Sequence, residues 1–373
     1  MASKLFSEIT LGGTTLRNRI IVAPMCQYSA SEGTANDWHL MHLGQFAVAG
    51  VGLLITEAAA VTPEGRISPG CLGLWNDEHE QALKRVVGFC QDYGNTKMGI
   101  QLAHAGRKGS TDMPWAGGKP IAADDARGWQ NLAPSATPYA EGWDTPTALD
   151  EEGMNRLIDA FVQSAIRADR VGFDAAELHM AHGYLCHQFL SPLSNQRNDA
   201  YGGNLEGRMR FPLALFDAVR KVWPASKALG VRLSATDWVE SSSWDLNEAG
   251  IFCQELKKRG VDFIDVSSAG NSPLQQIDVG PGYQTGFAAE LKRETDLPTM
   301  AVGQITDPKQ AEAILRSGQA DMVALARGML FNPHWAWQAA EALDAEAAYP
   351  PQYMRTSRSL RGLPVPGNPP APT

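Results

Sequence analysis

Eight short runs rich in β-branched and other apolar residues recur along this chain, and longer segments with helical spacing lie between them. The runs read as strands at 19–22, 52–56, 98–102, 175–178, 230–233, 263–266, 299–302 and 322–325. Helical patterns occupy 151–170, 205–222, 247–259 and 308–317, and Gly172, Gly260 and Gly318 are the stop signals that follow three of them. Strand and helix in regular alternation imply a parallel sheet with helical crossovers, and eight repeats predict an α/β fold, a (β/α)8 TIM barrel. A doubly wound open sheet shares this rhythm but should show G-x-G-x-x-G after its first strand. Here the first strand runs instead into Ala23-Pro24-Met25-Cys26. Ahead of it, LFSEITLGGTTLRN reads as a hairpin turning at Gly12-Gly13, a plug for the barrel bottom. Residues 1–360 are expected to form one domain, with 361–373 a flexible Pro-rich tail.

Charge and cysteine usage narrow the function classes. A net charge of -9 disfavours nucleic acid or an anionic membrane as the main partner. Apolar runs such as VGLLIT are too short to span a bilayer. The five cysteines form no C-x-x-C pair, which argues against a zinc ribbon or an iron–sulfur site and suits a reducing cytoplasm.

The long connections follow the third, fourth and sixth strands, at 103–150, 179–204 and 267–286. Barrel enzymes place their chemistry on that C-terminal face. The fourth-strand connection, in ELHMAHGYLCHQFLSPLSNQRNDAYGG, brings His179, His182 and Tyr184 within six residues. Taken alone, His-x-x-His has two readings. With His104 or His39 as a third ligand it is a metal site of a hydrolase; with Tyr184 it is a pocket that holds an electron-rich oxygen and supplies a proton. Gln101 and Arg232 end the third and fifth strand patterns, and an arginine so placed points to a site role over a rim ion pair. Small residues after the seventh and eighth strands, Gly303 and Ala326-Arg327-Gly328, would let backbone N–H groups approach a phosphate, aided by the next helix dipole.

The motifs LRNRIIVAPMCQYS, TEAAAVTPEGRIS, IQLAHAGRKG, ELHMAHGYLCHQFLSPLSNQRNDAYGG, VRLSATDW, AVGQITD and ALARGML occur in this order over nearly the whole chain. On them the chain resembles the Old Yellow Enzyme family of FMN-dependent ene-reductases, in its thermophilic-like YqjM and xenobiotic-reductase branch. The resemblance implies noncovalent FMN across the barrel top. Its phosphate would lie at Gly303, Ala326 and Arg327, its pyrimidine edge at Gln101, and its N1 and C2 carbonyl at Arg232. Ala23, Pro24, Met25, Cys26 and Ala60 would complete the cofactor site, with Cys26 tuning the flavin through a polarisable thiol.

By the same resemblance, NADPH or NADH reduces the flavin and leaves, and an activated alkene then takes its place. Enones, enals and maleimides are the implied substrates, with nitro compounds as further candidates. His179 and His182 would hold the substrate oxygen, hydride would reach Cβ, and Tyr184 would protonate Cα. Tyr28 would touch the substrate, and Trp38 is read as a packed aromatic or a pocket wall. Gln352, Tyr353 and Arg355 match a C-terminal motif whose arginine enters a neighbouring subunit's site, which implies a homodimer or homotetramer. A flavin-binding or ligand-binding barrel without catalysis is the third reading.

Overall fold

The computed structural model describes residues 2–240 and 243–363. Eight parallel strands close into a barrel in sequential order: β1 (Ile20–Val22), β2 (Leu53–Ala60), β3 (Lys97–Ala103), β4 (Ala175–Met180), β5 (Ala228–Ser234), β6 (Phe263–Ser267), β7 (Thr299–Ala301) and β8 (Met322–Leu325), which pairs back onto β1. Both faces of these strands are covered, so β2, β4 and β5 are buried at every position. The hairpin is present, with Ile9–Leu11 antiparallel to Thr14–Leu16. Its Leu11 and Leu16 pack against Leu53, Phe263, Met300 and Met322, and this cluster closes the barrel bottom.

Glu151–Val171 shows how the outer helices form. Asp150 caps it by accepting from the Gly153 N–H at 2.7 Å, and Glu151 and Glu152 face the positive end of the helix dipole. Leu157, Phe161, Ala165 and Ala168 recur at helical spacing and are buried. Burying Leu157 and Phe161 contributes about 1.5–3 kcal/mol each, and Asp150→Ala would cost about 1 kcal/mol of cap. The helix stops at Gly172, whose φ of 103° is strained for an L-residue.

One strand boundary departs from the sequence reading in a way that matters. β2 continues through Glu57-Ala58-Ala59-Ala60, residues with poor strand propensity. Pairing with β3 carries it there, after a register shift between Ile55 and Ala58, and delivers Ala60 to the upper face. No helix among the described residues is long and apolar enough to cross a membrane. The expected tail falls largely at 364–373, outside the described residues.

Candidate active site

Barrel register assembles a polar layer beneath the upper face. Gln101 pairs with Glu177, His179 with Arg232, and Arg232 with Asp265 on successive strands. The Gln101 Nε2–H donates to Glu177 Oε1 at 2.7 Å, and Arg232 Nε lies 3.1 Å from Asp265 Oδ2. Burial, then repulsion from Asp265, pushes Glu177 up to about 8, with Arg232 and Gln101 opposing. Burial also raises Asp265, again opposed by Arg232. Two carboxyls share one guanidinium, and Glu177 therefore holds a proton near neutral pH.

Immediately above this layer stand the paired histidines. The Ala181 N–H donates to His179 Nδ1 at 3.2 Å, which leaves the proton of neutral His179 on Nε2. That Nε2 lies 3.3 Å from His182 Nδ1, and His182 Nε2 lies 2.7 Å from Ser267 Oγ. Burial and the Arg232 charge hold both imidazoles well below their ordinary value, so they are neutral dipoles. Two ring nitrogens converge on one point and suit a single acceptor oxygen. Both can donate to it when His182 carries its proton on Nδ1 and accepts from the Ser267 hydroxyl at Nε2. His182 sits at φ 58°, and its N–H donates to Ser234 Oγ at 2.9 Å.

Tyr184 precedes the short helix Leu185–Leu190 and sets its ring edge-on to His179, with centroids 4.9 Å apart. Burial, followed by the neighbouring Cys26 and Tyr28, raises its hydroxyl well above the ordinary phenol range. It keeps its proton at neutral pH. A second pair braces this loop from behind. The Gly183 N–H donates to His187 Nδ1 at 2.9 Å, and His187 Nε2 is 3.1 Å from Asp237 Oδ1.

Past β1, Ala23 is buried, whereas Pro24, Met25, Cys26 and Tyr28 keep partial access. Burial, then Cys71 and Glu57, raises the Cys26 thiol well above its usual value, which disfavours the thiolate. Tyr28 adopts φ 51° and packs edge-on to Trp115 at 5.8 Å. Trp38 is neither core nor enclosed wall: it is half exposed, and its Nε1–H donates to Gln27 Oε1 at 3.1 Å.

Across the barrel mouth, Arg232, Tyr283, Gln284, Gly303, Ala326 and Arg327 line a cavity of about 440 Å³. Two guanidiniums enter it, and among the described residues no carboxylate lines it. Gly303 has φ 127°, and an added Cβ would come 3.1 Å from the Tyr283 ring. Ala326 has φ -109°, where glycine is not required. The helix beyond it, Arg327–Phe331, is a five-residue turn, so the dipole assistance expected at this position is small. A separate surface groove of about 470 Å³, lined by Leu40, Met41, Phe89, Tyr93, Pro350 and Tyr353, lies away from these residues. Arg355 is exposed on the 3-10 segment Pro351–Thr356.

The metal reading lacks its third ligand. No group of three His, Cys, Asp or Glu able to hold a metal forms among the described residues. His104 Nδ1 accepts from the Gly106 N–H at 3.0 Å, and His39 lies 3.3 Å from Glu57. Sequence reasoning passed over Glu177, Ser267, Lys108 and the His187–Asp237 pair. Only Lys108 carried a local signal, as the second of two basic residues just past a strand end.

A two-arginine cavity at the mouth of a parallel barrel, beside neutral histidines, offers a place for an anionic group. The chain belongs to the NADH:flavin oxidoreductase / NADH oxidase family, whose model matches residues 4–346. It is 43% identical over 357 residues to an NADPH dehydrogenase of Geobacillus thermodenitrificans, covering 95% of this chain and 99% of that one. An NADPH dehydrogenase of Bacillus subtilis is 42% identical over 357 residues, with the same coverage of 95% and 99%. Among solved structures, morphinone reductase superposes with a TM-score of 0.76 at 28% identity, covering 95% of this chain and 93% of that one. The protein is thus an NAD(P)H-dependent oxidoreductase of the Old Yellow Enzyme type with FMN as cofactor.

Proposed function

We propose that the enzyme reduces the C=C bond of activated alkenes, such as enones, enals, maleimides and nitro compounds, in two half-reactions at one site. NADPH or NADH is the reductant. The cavity with two arginines and no carboxylate, set beside the convergent histidine pair, carries this reading. Its donors fit FMN. Arg327 with the backbone of Gly303 and Ala326 would hold the phosphate, and Gln101 and Arg232 the pyrimidine edge. Ala23, Pro24, Met25, Cys26 and Ala60 would line the rest of the ring. When bound, FMN supplies the hydride that passes from the nicotinamide to the alkene Cβ.

The chain's own residues do the remainder. His179 and His182 donate to the carbonyl or nitro oxygen, and these bonds strengthen as negative charge gathers there. The protein keeps both imidazoles neutral, so neither delivers the proton. Tyr184, with its hydroxyl held protonated, gives that proton to Cα. Tyr28, in its left-handed conformation beside the pocket, would touch the substrate. The apolar groove next to Tyr353 supports a homodimer or homotetramer, from which exposed Arg355 would reach a neighbouring site. Five free cysteines support a cytoplasmic location.

Tyr184→Phe tests the central step. Anaerobic stopped-flow should show flavin reduction by nicotinamide unchanged and alkene reduction slowed by about 10²–10⁴-fold. Equal slowing of both halves refutes the proton-donor role. A barrel that oxidises no reduced nicotinamide with any enone or quinone is a binding protein instead.

A further inference from the structure

We infer that Lys108 supplies the positive charge that stabilises the oxygen held by His179 and His182. This rests on the proposed oxygen-binding role of the pair. The two imidazoles are neutral, and Arg232 is already engaged with Asp265 at 3.1 Å. That carboxylate offsets part of the Arg232 charge, and Lys108 is the other cation that acts on both rings. Lys108 follows β3 in the turn Gly106–Lys108, and its ammonium donates to His182 O at 2.8 Å and Gly270 O at 2.6 Å. Its nitrogen also lies 5.2 Å from the Tyr184 ring centroid and 4.9 Å from that of Tyr139.

No ion pair between Lys108 and a carboxylate forms among the described residues; carbonyl oxygens and aromatic faces hold it instead. Arg107, one residue away, is likewise held by carbonyls, donating to Asn271 O at 2.8 Å. Two adjacent cations whose side chains are held by carbonyls rather than by a paired carboxylate are expensive to desolvate, and only Arg107 feels a carboxylate charge, from Asp237. Burial, then Arg107, brings Lys108 down to about 7, which measures that cost. The backbone here is also unusual: His182 is held at φ 58°, and Gly270, at φ 97°, sits where a Cβ would meet the His182 backbone at 2.5 Å. The β4 and β6 loops cross here with their carbonyls turned onto one ammonium.

A strap between loops would explain the hydrogen bonds alone, so the test separates charge from tethering. Binding of pentafluorophenolate, an anionic oxygen probe, is measured by fluorine NMR on the FMN-loaded enzyme at about pH 6. Binding of cyclohexanone, a neutral carbonyl, is measured by competition, and the readout is the ratio of the two affinities. Lys108→Gln keeps donors for the carbonyls but removes the charge, Lys108→Met removes both, and Lys108→Arg keeps the charge. The ratio should fall on the order of tenfold in Gln and Met and persist in Arg, the size of one unit charge acting over ~10 Å at an effective dielectric of ~20. A ratio preserved in Gln, or lost equally in Arg and Gln, overturns the charge role. His179→Ala is the control. If its ratio matches wild type, the oxygen-binding reading is wrong and this inference falls with it. A loss in His179→Ala with none in the neutral Lys108 variants overturns Lys108 alone.

Discussion

Gly303→Ala should weaken FMN binding by about tenfold or more, and the structure shows where that loss arises. At φ 127° the position lies in a backbone region that L-residues rarely adopt, at a cost of about 1–3 kcal/mol. The new Cβ would sit 3.1 Å from Tyr283 Cδ1 and Cε1 and 3.2 Å from Gln284 Nε2. Gln284 cannot retreat freely: its amide donates to Val302 O at 3.1 Å and accepts from Ser268 Oγ at 2.5 Å, and each bond lost costs about 1 kcal/mol. The flanks are held too, since Gly303 O accepts from the Gly282 N–H at 2.8 Å and Ile305 is buried. Part of the strain therefore stays in the folded protein and lowers its unfolding midpoint. The rest moves the Val302–Gln304 backbone out of the cavity, and each 1.4 kcal/mol so spent costs about tenfold in affinity. The assay is FMN fluorescence quenching on apoprotein beside thermal unfolding of the same sample. Ala326→Gly is the control: it adds no atom to the cavity, so about 0.5–1 kcal/mol of chain entropy is the main effect. Wild-type FMN affinity together with a wild-type midpoint in Gly303→Ala would refute the reasoning.

Glu177 binds its proton more tightly in the folded state than its ordinary 4.5 allows, so its stabilising contribution is full below that value and drains away as pH rises to about 8. Glu177→Gln keeps an acceptor for Gln101 and should flatten the decline in unfolding midpoint between about pH 5 and pH 8; parallel curves for the two proteins would count against it. Cys26, its thiol raised by burial, should resist iodoacetamide at about pH 8 in mass-spectrometric labelling, and rapid labelling there would contradict the burial argument. Arg355→Ala should raise KM for alkene with little effect on unfolding, because the side chain is exposed in its own subunit; unchanged kinetics would remove the shared site.

The barrel was legible because its strands are buried on both faces and so read as mostly apolar runs, with Gln101, Glu177, Arg232 and Asp265 among the polar exceptions. β8 falls where its pattern ends, and the other strands depart by a few residues at most. The largest departure is β2, because Ala58–Ala60 form a strand only through β3, a tertiary effect that local propensity does not carry. Within the candidate site, the proximity of His179, His182 and Tyr184 was legible because they cluster in one loop. Glu177 was not: its meaning depends on Gln101 in the neighbouring strand and Asp265 two strands away. Lys108 was visible in AHAGRKG, but its role needs the carbonyls of His182 and Gly270, which lie 74 and 162 residues away in sequence.

Backbone strain follows the same division of labour. Tyr28, Ser110, His182, Trp238, Ala269 and Gln304 all hold positive φ without being glycine. They follow β1, β3, β4, β5, β6 and β7 respectively, on the face that carries the site. Each costs roughly 1–3 kcal/mol, and no local preference of these residue types explains the choice. The barrel beneath can bear that cost, because its core packs continuously and its bottom is sealed by the Leu11 and Leu16 hairpin. What the strain secures is direction. His182 turns back so that its ring meets His179 while its carbonyl meets Lys108, two contacts that an extended residue at this position would not make together. The bond from the His182 N–H to Ser234 Oγ, and that between His182 Nε2 and Ser267 Oγ, then hold the turn. The placement of the proposed oxygen-binding pair is thus set by neighbouring strands rather than by the loop's own sequence.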